Sequence, residues 1–158
     1  MRGKLLTIII KQMQSKKPVA LVVGGSRGIG RQVAIDLAKN GYAVVVAAKT
    51  SSDAATCEPF PPNPNTLQST ISTVTREIIE TGGDAIAVQV DVRDFSSVEA
   101  LVEQTVRQYK RLDVLIYNRY VIRGGRASSL ARQSAHSYIR QLRTKVAQYG
   151  GAVFRSHR

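Results

Sequence analysis

Apolar residues run along this chain in short unbroken blocks, alternating with stretches in which they recur every three or four positions. The first block, PVALVVGG from Pro18, is rich in β-branched residues and closed by glycine, as a strand buried on both faces of a parallel sheet requires. Ile29, Val33 and Leu37 then fall at four-residue intervals, and Ala34 and Ala38 widen the stripe, so a helix is expected. Asn40-Gly41 supplies its left-handed stop. YAVVVAAK reads as a second buried strand. Further on, Leu67, Ile71, Val74 and Ile78 restore helical spacing until Gly82-Gly83 ends it. AIAVQVD is a third strand, with Ile86, Val88 and Val90 on one face and Ala85, Ala87 and Gln89 on the other. Ser96 and Glu99 have the spacing of a capping box ahead of a third helix, whose apolar side is Val98, Leu101, Val102, Val106 and Tyr109. DVLIY is a fourth strand.

Between Thr50 and Thr66, TSSDAATCEPFPPNPNT holds four of the chain's 5 prolines, which remove backbone donors and predict a long loop. Strands alternating with helices, without hairpin signals, predict an α/β fold. The expected architecture is a partial Rossmann-type, doubly wound parallel sheet of about four strands with flanking helices. The organisation is a basic lead-in at 1–17, an incomplete Rossmann-type domain at 18–118, and a basic tail at 119–158. In that tail Tyr138, Leu142, Val146 and Tyr149 share one side of a helix expected at 130–149. A half-sheet of this kind leaves the outer edge of its fourth strand unpaired, which predicts self-association through that edge.

Charge sharpens the boundary. Of the net +12, most lies past Asn118: residues 1–118 hold 14 Lys+Arg against 11 Asp+Glu, and residues 119–158 hold 9 Lys+Arg and no acid. Such a tail suits a nucleic-acid or anionic-membrane partner, or else a segment never selected to pack in this fold. No nucleic-acid motif supports the first, so neither partner is expected. A single cysteine, Cys57, excludes an internal disulfide and a cysteine-based zinc cluster, in keeping with an intracellular protein. His136 and His157 are far apart with no acid nearby, so no metal site is expected. The apolar run LLTIII is too short for a membrane span. The acid-free basic N-terminus leaves two locations open, cytoplasmic or, by way of a presequence, mitochondrial.

The chemistry is concentrated in VVGGSRGIG, which places Gly24, Gly28 and Gly30 between the first strand and the first helix. A phosphate bridge approaching a helix N-terminus needs backbone N–H groups unobstructed by Cβ atoms, and the helix dipole favours its charge. A glycine triplet alone is a weak signal, but between a strand and a helix it has the context that dinucleotide binding requires. The spacing Gly-x-x-x-Gly-x-Gly resembles the short-chain dehydrogenase/reductase family, with Val23 where that motif carries Thr. GGSRGIG, VVVAAKT, the proline-rich loop, TREIIETGGDAIAVQVDVRD and LDVLIYN together resemble its hydroxysteroid dehydrogenase-like branch, over Pro18 to Asn118. The resemblance assigns the pyrophosphate to Gly24, Ser26, Arg27, Gly28, Ile29 and Gly30. It sets Asp91 and Val92 beside the adenine, and matches Asn118 to the second Asn of the family's Asn-Asn-Ala-Gly. Lys49 stands about where an acid would bind the ribose 2′-OH of NAD, so Lys49 and Arg27 favour NADP over NAD as cofactor.

The resemblance also implies an absence. The family's hydride chemistry uses a Ser to hold the carbonyl oxygen, a Tyr to exchange the proton and a Lys four residues after that Tyr. Tyr42, Tyr109, Tyr117, Tyr120, Tyr138 and Tyr149 are followed at that distance by Val46, Asp113, Val121, Gly124, Leu142 and Val153. No catalytic residue is therefore assigned. After Asn118 the family pattern continues Ala-Gly, whereas this chain has Arg119-Tyr120, so the likeness is expected to stop there, by a change of frame or splicing, and an unrelated tail to follow. The resulting expectation is an NADP-dependent short-chain oxidoreductase, acting on a carbonyl or alcohol, of which these residues carry the cofactor half without catalysing alone. The alternative is a non-catalytic nucleotide-binding module, or a truncated product whose basic tail binds an anionic partner.

Overall fold

The computed structural model describes residues 17–118, 140, 143–150 and, as backbone, 152–155. Five strands form one parallel sheet: β1 (Val19–Val23), β2 (Ala43–Ala48), β3 (Asp84–Gln89), β4 (Val114–Tyr117) and β5 (Ala152–Arg155). Their spatial order is β3-β2-β1-β4-β5. Between them run α1 (Gly28–Lys39), α2 (Ile71–Glu80) and α3 (Phe95–Tyr109). The order records how the chain winds. It steps outward from β1 to β2 to β3, then returns along α3 to place β4 on the other side of β1.

The period of two in a strand sorts the core onto two faces. On one, Val22, Val44 and Val46 meet Ala34 and Ile35 of α1 and Ile71, Val74 and Ile78 of α2. On the other, Leu21, Val23, Val45 and Leu115 meet Val98, Leu101 and Val102 of α3. Both faces of β1 and β2 are thus covered, which is why their sequences are unbroken apolar runs while β3, at the edge, alternates.

Local chemistry places the helix ends. Asn40 closes α1 and Gly41 turns left-handed at φ 86°, as its dipeptide predicts. At the end of α2 Gly82 has φ 84°, and the Gly83 N–H donates back to the Ile78 carbonyl at 2.8 Å. Three expectations are corrected here. The expected box at Ser96 and Glu99 does not form, because Asp94 caps α3 by accepting from the Ser96 N–H at 3.1 Å. A capping box forms instead at α2, between Thr70 and Thr73, so the helix begins at Ile71 and Leu67 is left 79% exposed. In α1 the buried side carries Gly30, Ala34 and Ile35; Ile29, at the first turn, is 52% exposed because that turn faces the strand ends rather than the core.

The tail departs most from expectation. β5 pairs with β4 in parallel from Val114↔Ala152 to Tyr117↔Arg155, so the outer edge of β4 is filled and cannot serve as the expected site of self-association. The sheet has five strands, one more than the repeat of apolar runs indicated. Residue 140 and residues 143–148 are helical, in keeping with part of the helix expected at 130–149; Tyr138 and Leu142 lie outside the described residues. Val146 is fully buried in the α3 face of the core, whereas Tyr149 is 44% exposed. The Lys145 ammonium lies 2.6 Å from Glu99 and 3.9 Å from Glu103, tying this helix to α3. Lys145 thus finds, on α3, the acids that its own segment lacks. No helix among the described residues is long and apolar enough to cross a membrane.

Candidate functional site

The strand order reverses between β1 and β4, and there neighbouring connections leave the sheet on opposite faces and open a crevice at the carboxyl ends of the strands. Gly24 follows β1 and Asn118 follows β4, so both lie at that point. Gly24 adopts φ 83° and its N–H donates to the Ala47 carbonyl at 2.7 Å, which turns the chain sharply off the sheet. A side chain on Gly25 would meet Val46 Cγ1 at 2.9 Å. Gly30, in the first turn of α1, is the most constrained of these: a Cβ there would stand 2.1 Å from the Gly24 carbonyl oxygen and 2.7 Å from Asn118 Nδ2. The absence of a side chain at Gly30 is therefore what lets the helix start rest on the ends of β1 and β4. Asn118 is held by its N–H, which donates to the Val23 carbonyl at 2.9 Å.

Arg27, extended at φ −159°, is the N-cap of α1, and no side chain caps the helix. The proline-rich loop braces this turn from outside. The Gly28 N–H donates to the Pro64 carbonyl at 3.1 Å, and the fully buried Ser69 donates its hydroxyl to the Ser26 carbonyl at 2.6 Å. Arg76 of α2 holds the loop in turn, through the Ala54 carbonyl at 2.8 Å and the face of Phe60 at 3.9 Å.

Beside the glycine turn is a cleft of about 310 Å³, lined by Val23, Gly24, Ala48, Lys49, Val90, Asp91, Val92 and Arg93. Its floor is apolar and its rim charged. The Asp91 carboxylate accepts from Arg93 Nε at 3.0 Å and Nη2 at 2.7 Å, from the Arg93 backbone N–H at 3.0 Å, and from Lys49 Nζ at 3.1 Å. These contacts, the Arg93 side chain foremost, hold its carboxyl far below the usual carboxylate range. The Asp91 N–H is itself fixed by the Ser97 hydroxyl at 3.1 Å, so the start of α3 positions the turn.

The structure therefore gathers the expected residues into two adjoining groups. Gly24, Gly30 and Asn118 meet at the switch point, and Lys49, Asp91 and Val92 line the cleft with Gly24. Ser26 and Arg27 lie between β1 and α1, and Gly28 and Ile29 begin α1; none of the four lines the cleft, so Arg27 does not share it with Lys49. Arg93 lines the cleft and was not anticipated. The signal for it was local: an Asp at the end of a strand tends to accept from the N–H two residues on, which brings that residue alongside its carboxylate. Among the described residues no three His, Cys, Asp or Glu side chains come together as a metal site.

A family model described as short chain dehydrogenase matches residues 18–59 and 63–144. The chain belongs to the short chain dehydrogenase family. The match continues past Asn118, which corrects the expectation that the likeness stops there; the later residues lack the quoted motifs but continue the winding of the sheet. The hydroxysteroid dehydrogenase-like protein 2 of Pongo abelii is 39% identical over 97 residues, 61% of this chain and 21% of that protein. Among solved structures, a double mutant of a Serratia marcescens short-chain dehydrogenase/reductase is 26% identical with a TM-score of 0.69, covering 87% of this chain and 54% of that one. A mutant actinorhodin polyketide ketoreductase with NADPH is also 26% identical, with a TM-score of 0.64 over 88% of this chain and 52% of that one. The chain thus spans about half the length of these solved relatives and about a fifth of the curated one.

Proposed function

We propose that these residues form the cofactor-binding half of an NADP(H)-dependent oxidoreductase that moves a hydride between the dinucleotide and a carbonyl or alcohol. The observation that carries this reading is the meeting of Gly24, Gly30 and Asn118 at the switch point, beside a cleft rimmed by cations. The pyrophosphate is assigned to the start of α1, where the helix dipole favours its charge and where the Gly28 N–H would exchange its present partner, the Pro64 carbonyl at 3.1 Å, for a phosphate oxygen. The adenosine fits the cleft, its ring against Val92 and Asp91 and its ribose toward Lys49. Lys49 supports a 2′-phosphate, because a cation at the end of β2 attracts that group where an acid would reject it. The dinucleotide supplies the hydride; this chain's residues hold and orient it. The sequence contains no Tyr followed four residues later by Lys, so these residues are expected to bind the dinucleotide without turning over.

The test is thermal unfolding of the purified chain with NADP+, NADPH, NAD+ and no addition. Binding to the native state alone raises stability by about 2.7 kcal/mol at a hundredfold excess over Kd. NADP+ and NADPH are expected to raise the melting temperature more than NAD+ does, with no carbonyl-dependent loss of NADPH absorbance. Equal melting curves in all samples would refute dinucleotide binding, and an equal response to NAD+ and NADP+ would refute the assigned preference.

A further inference from the structure

Two cations share one carboxylate at the rim of the cleft. Arg93 grips both Asp91 oxygens, Nε to Oδ1 at 3.0 Å and Nη2 to Oδ2 at 2.7 Å, and adds its backbone N–H to Oδ1 at 3.0 Å. Lys49 Nζ reaches only Oδ2, at 3.1 Å, and must share that oxygen with the guanidinium. The two side chains are similarly exposed, at 65% for Lys49 and 64% for Arg93, so burial holds neither in place. The difference lies in geometry. A planar guanidinium engaged at two points, on a residue whose own backbone is part of the turn, is pre-organised; a single ammonium on a four-carbon stem is not.

Arg93 alone thus satisfies both oxygens of Asp91. Lys49 can leave without stranding a carboxylate. The geometry points to Arg93 as a specificity-determining residue: by serving as the standing counter-ion of Asp91, it frees Lys49 to engage a phosphate on the ribose of a dinucleotide in the cleft. Without Arg93, Asp91 would retain Lys49 as its partner, and its negative charge would face the incoming phosphate. The inference rests on the dinucleotide reading above and deepens it. Arg93 acts through Asp91 and Lys49, so it is a positioning residue and its effect is confined to ligands bearing the extra phosphate.

The experiment measures Kd for NADP+ and NAD+ by calorimetry on the wild-type chain, Arg93→Gln, Arg93→Lys, Lys49→Gln and the Lys49→Gln/Arg93→Gln double variant. Arg93→Gln is expected to weaken NADP+ about tenfold and NAD+ by no more than about twofold, the size of effect that a nearby unscreened charge exerts at a protein surface. Arg93→Lys should recover only part of the loss, because an ammonium keeps the charge but not the two-point grip on Asp91. In the Lys49→Gln background, Arg93→Gln should cost distinctly less NADP+ affinity than it does in the wild type, because Lys49 is no longer there to be retained and only the bared Asp91 charge still acts. For the wild type, the ratio of the two affinities should fall as salt rises, a measurement that needs no variant to fold.

Equal weakening of NADP+ and NAD+ by Arg93→Gln would overturn the proposal, as would additive losses in the double variant, which would mean that Arg93 meets the phosphate itself. Wild-type protein that binds neither nucleotide would remove the dinucleotide reading and this inference together. Failure of the inference alone leaves wild-type binding intact.

Discussion

Replacing Gly30 with alanine is the most direct test of how the glycine turn works. The added Cβ would stand 2.1 Å from the Gly24 carbonyl oxygen, 2.9 Å from its carbon and 2.7 Å from Asn118 Nδ2. Heavy atoms rest at about 3.5 Å, so the first contact falls short by about 1.4 Å and the first turn of α1 must lift off the strand ends. Overpacking of this kind costs about 1–3 kcal/mol, or roughly 2–12 °C in melting temperature for a chain of this size. Gly28→Ala is the control. Gly28 has φ 57° and open space where its Cβ would go, so its cost is the left-handed backbone of about 1–2 kcal/mol. Urea unfolding and NADP+-dependent melting of both variants separate the two effects. Both should be less stable, and Gly30→Ala should also lose the NADP+ response, since it displaces the Gly24 carbonyl and Asn118. A Gly30→Ala protein that unfolds with the wild type and still responds to NADP+ would refute the close-packing argument.

Three further outcomes are expected. The Tyr117 hydroxyl is buried with no hydrogen-bond partner among the described residues, so Tyr117→Phe should raise the urea midpoint, by about 1 kcal/mol or more of stability; a lower midpoint would show that the hydroxyl is satisfied. Val146→Ala should cost about 2 kcal/mol, read by the same unfolding curve, because the side chain is fully buried against the α3 face of the core; no change would mean that the later residues are not part of that core. Asp113 has its carboxyl held below the ordinary range by hydrogen bonds from the Arg111 side chain and from the Val19 N–H at 2.7 Å, against the opposing effect of burial. A carboxyl depressed in the folded state contributes stability that is complete above its unfolded value near 3.8 and is lost as pH falls through the lower folded value. Asp113→Asn should therefore be less stable than wild type at neutral pH, with the gap closing below about pH 4; a gap constant across that range would show that the charge contributes nothing.

Where a residue's surroundings are set by its near neighbours in sequence, the amino-acid pattern sufficed. The runs at β1 and β2 mark strands covered on both faces, Asn40-Gly41 and Gly82-Gly83 end their helices, and four prolines keep Thr50 to Thr66 largely irregular around one turn at Ala54–Thr56. Gly24 and Gly30 were legible for the same reason, since a strand–turn–helix junction restricts them locally. The cap of α3 failed as a local reading because Asp94 and Ser96 compete for the same first turn, and the acid two residues earlier reaches the N–H.

Other features depend on which distant segments meet. Arg93 and Lys49 are separated by β3 and α2, and only the parallel pairing of β2 with β3 brings their side chains to one carboxylate. Ser69 braces Ser26 across 43 residues. The last strand is the clearest case: Ala152 to Arg155 is a short run in an acid-free segment, and nothing in its composition says that it fills the edge of β4. By itself, the sequence determined the first four strands, the helices between them and the glycine turn, because periodicity and side-chain volume act over a few residues. Tertiary structure alone decided the sheet order, the filled edge and the shared carboxylate, because hydrogen bonding between strands and ion pairing across the cleft are set by position in space and not by spacing along the chain.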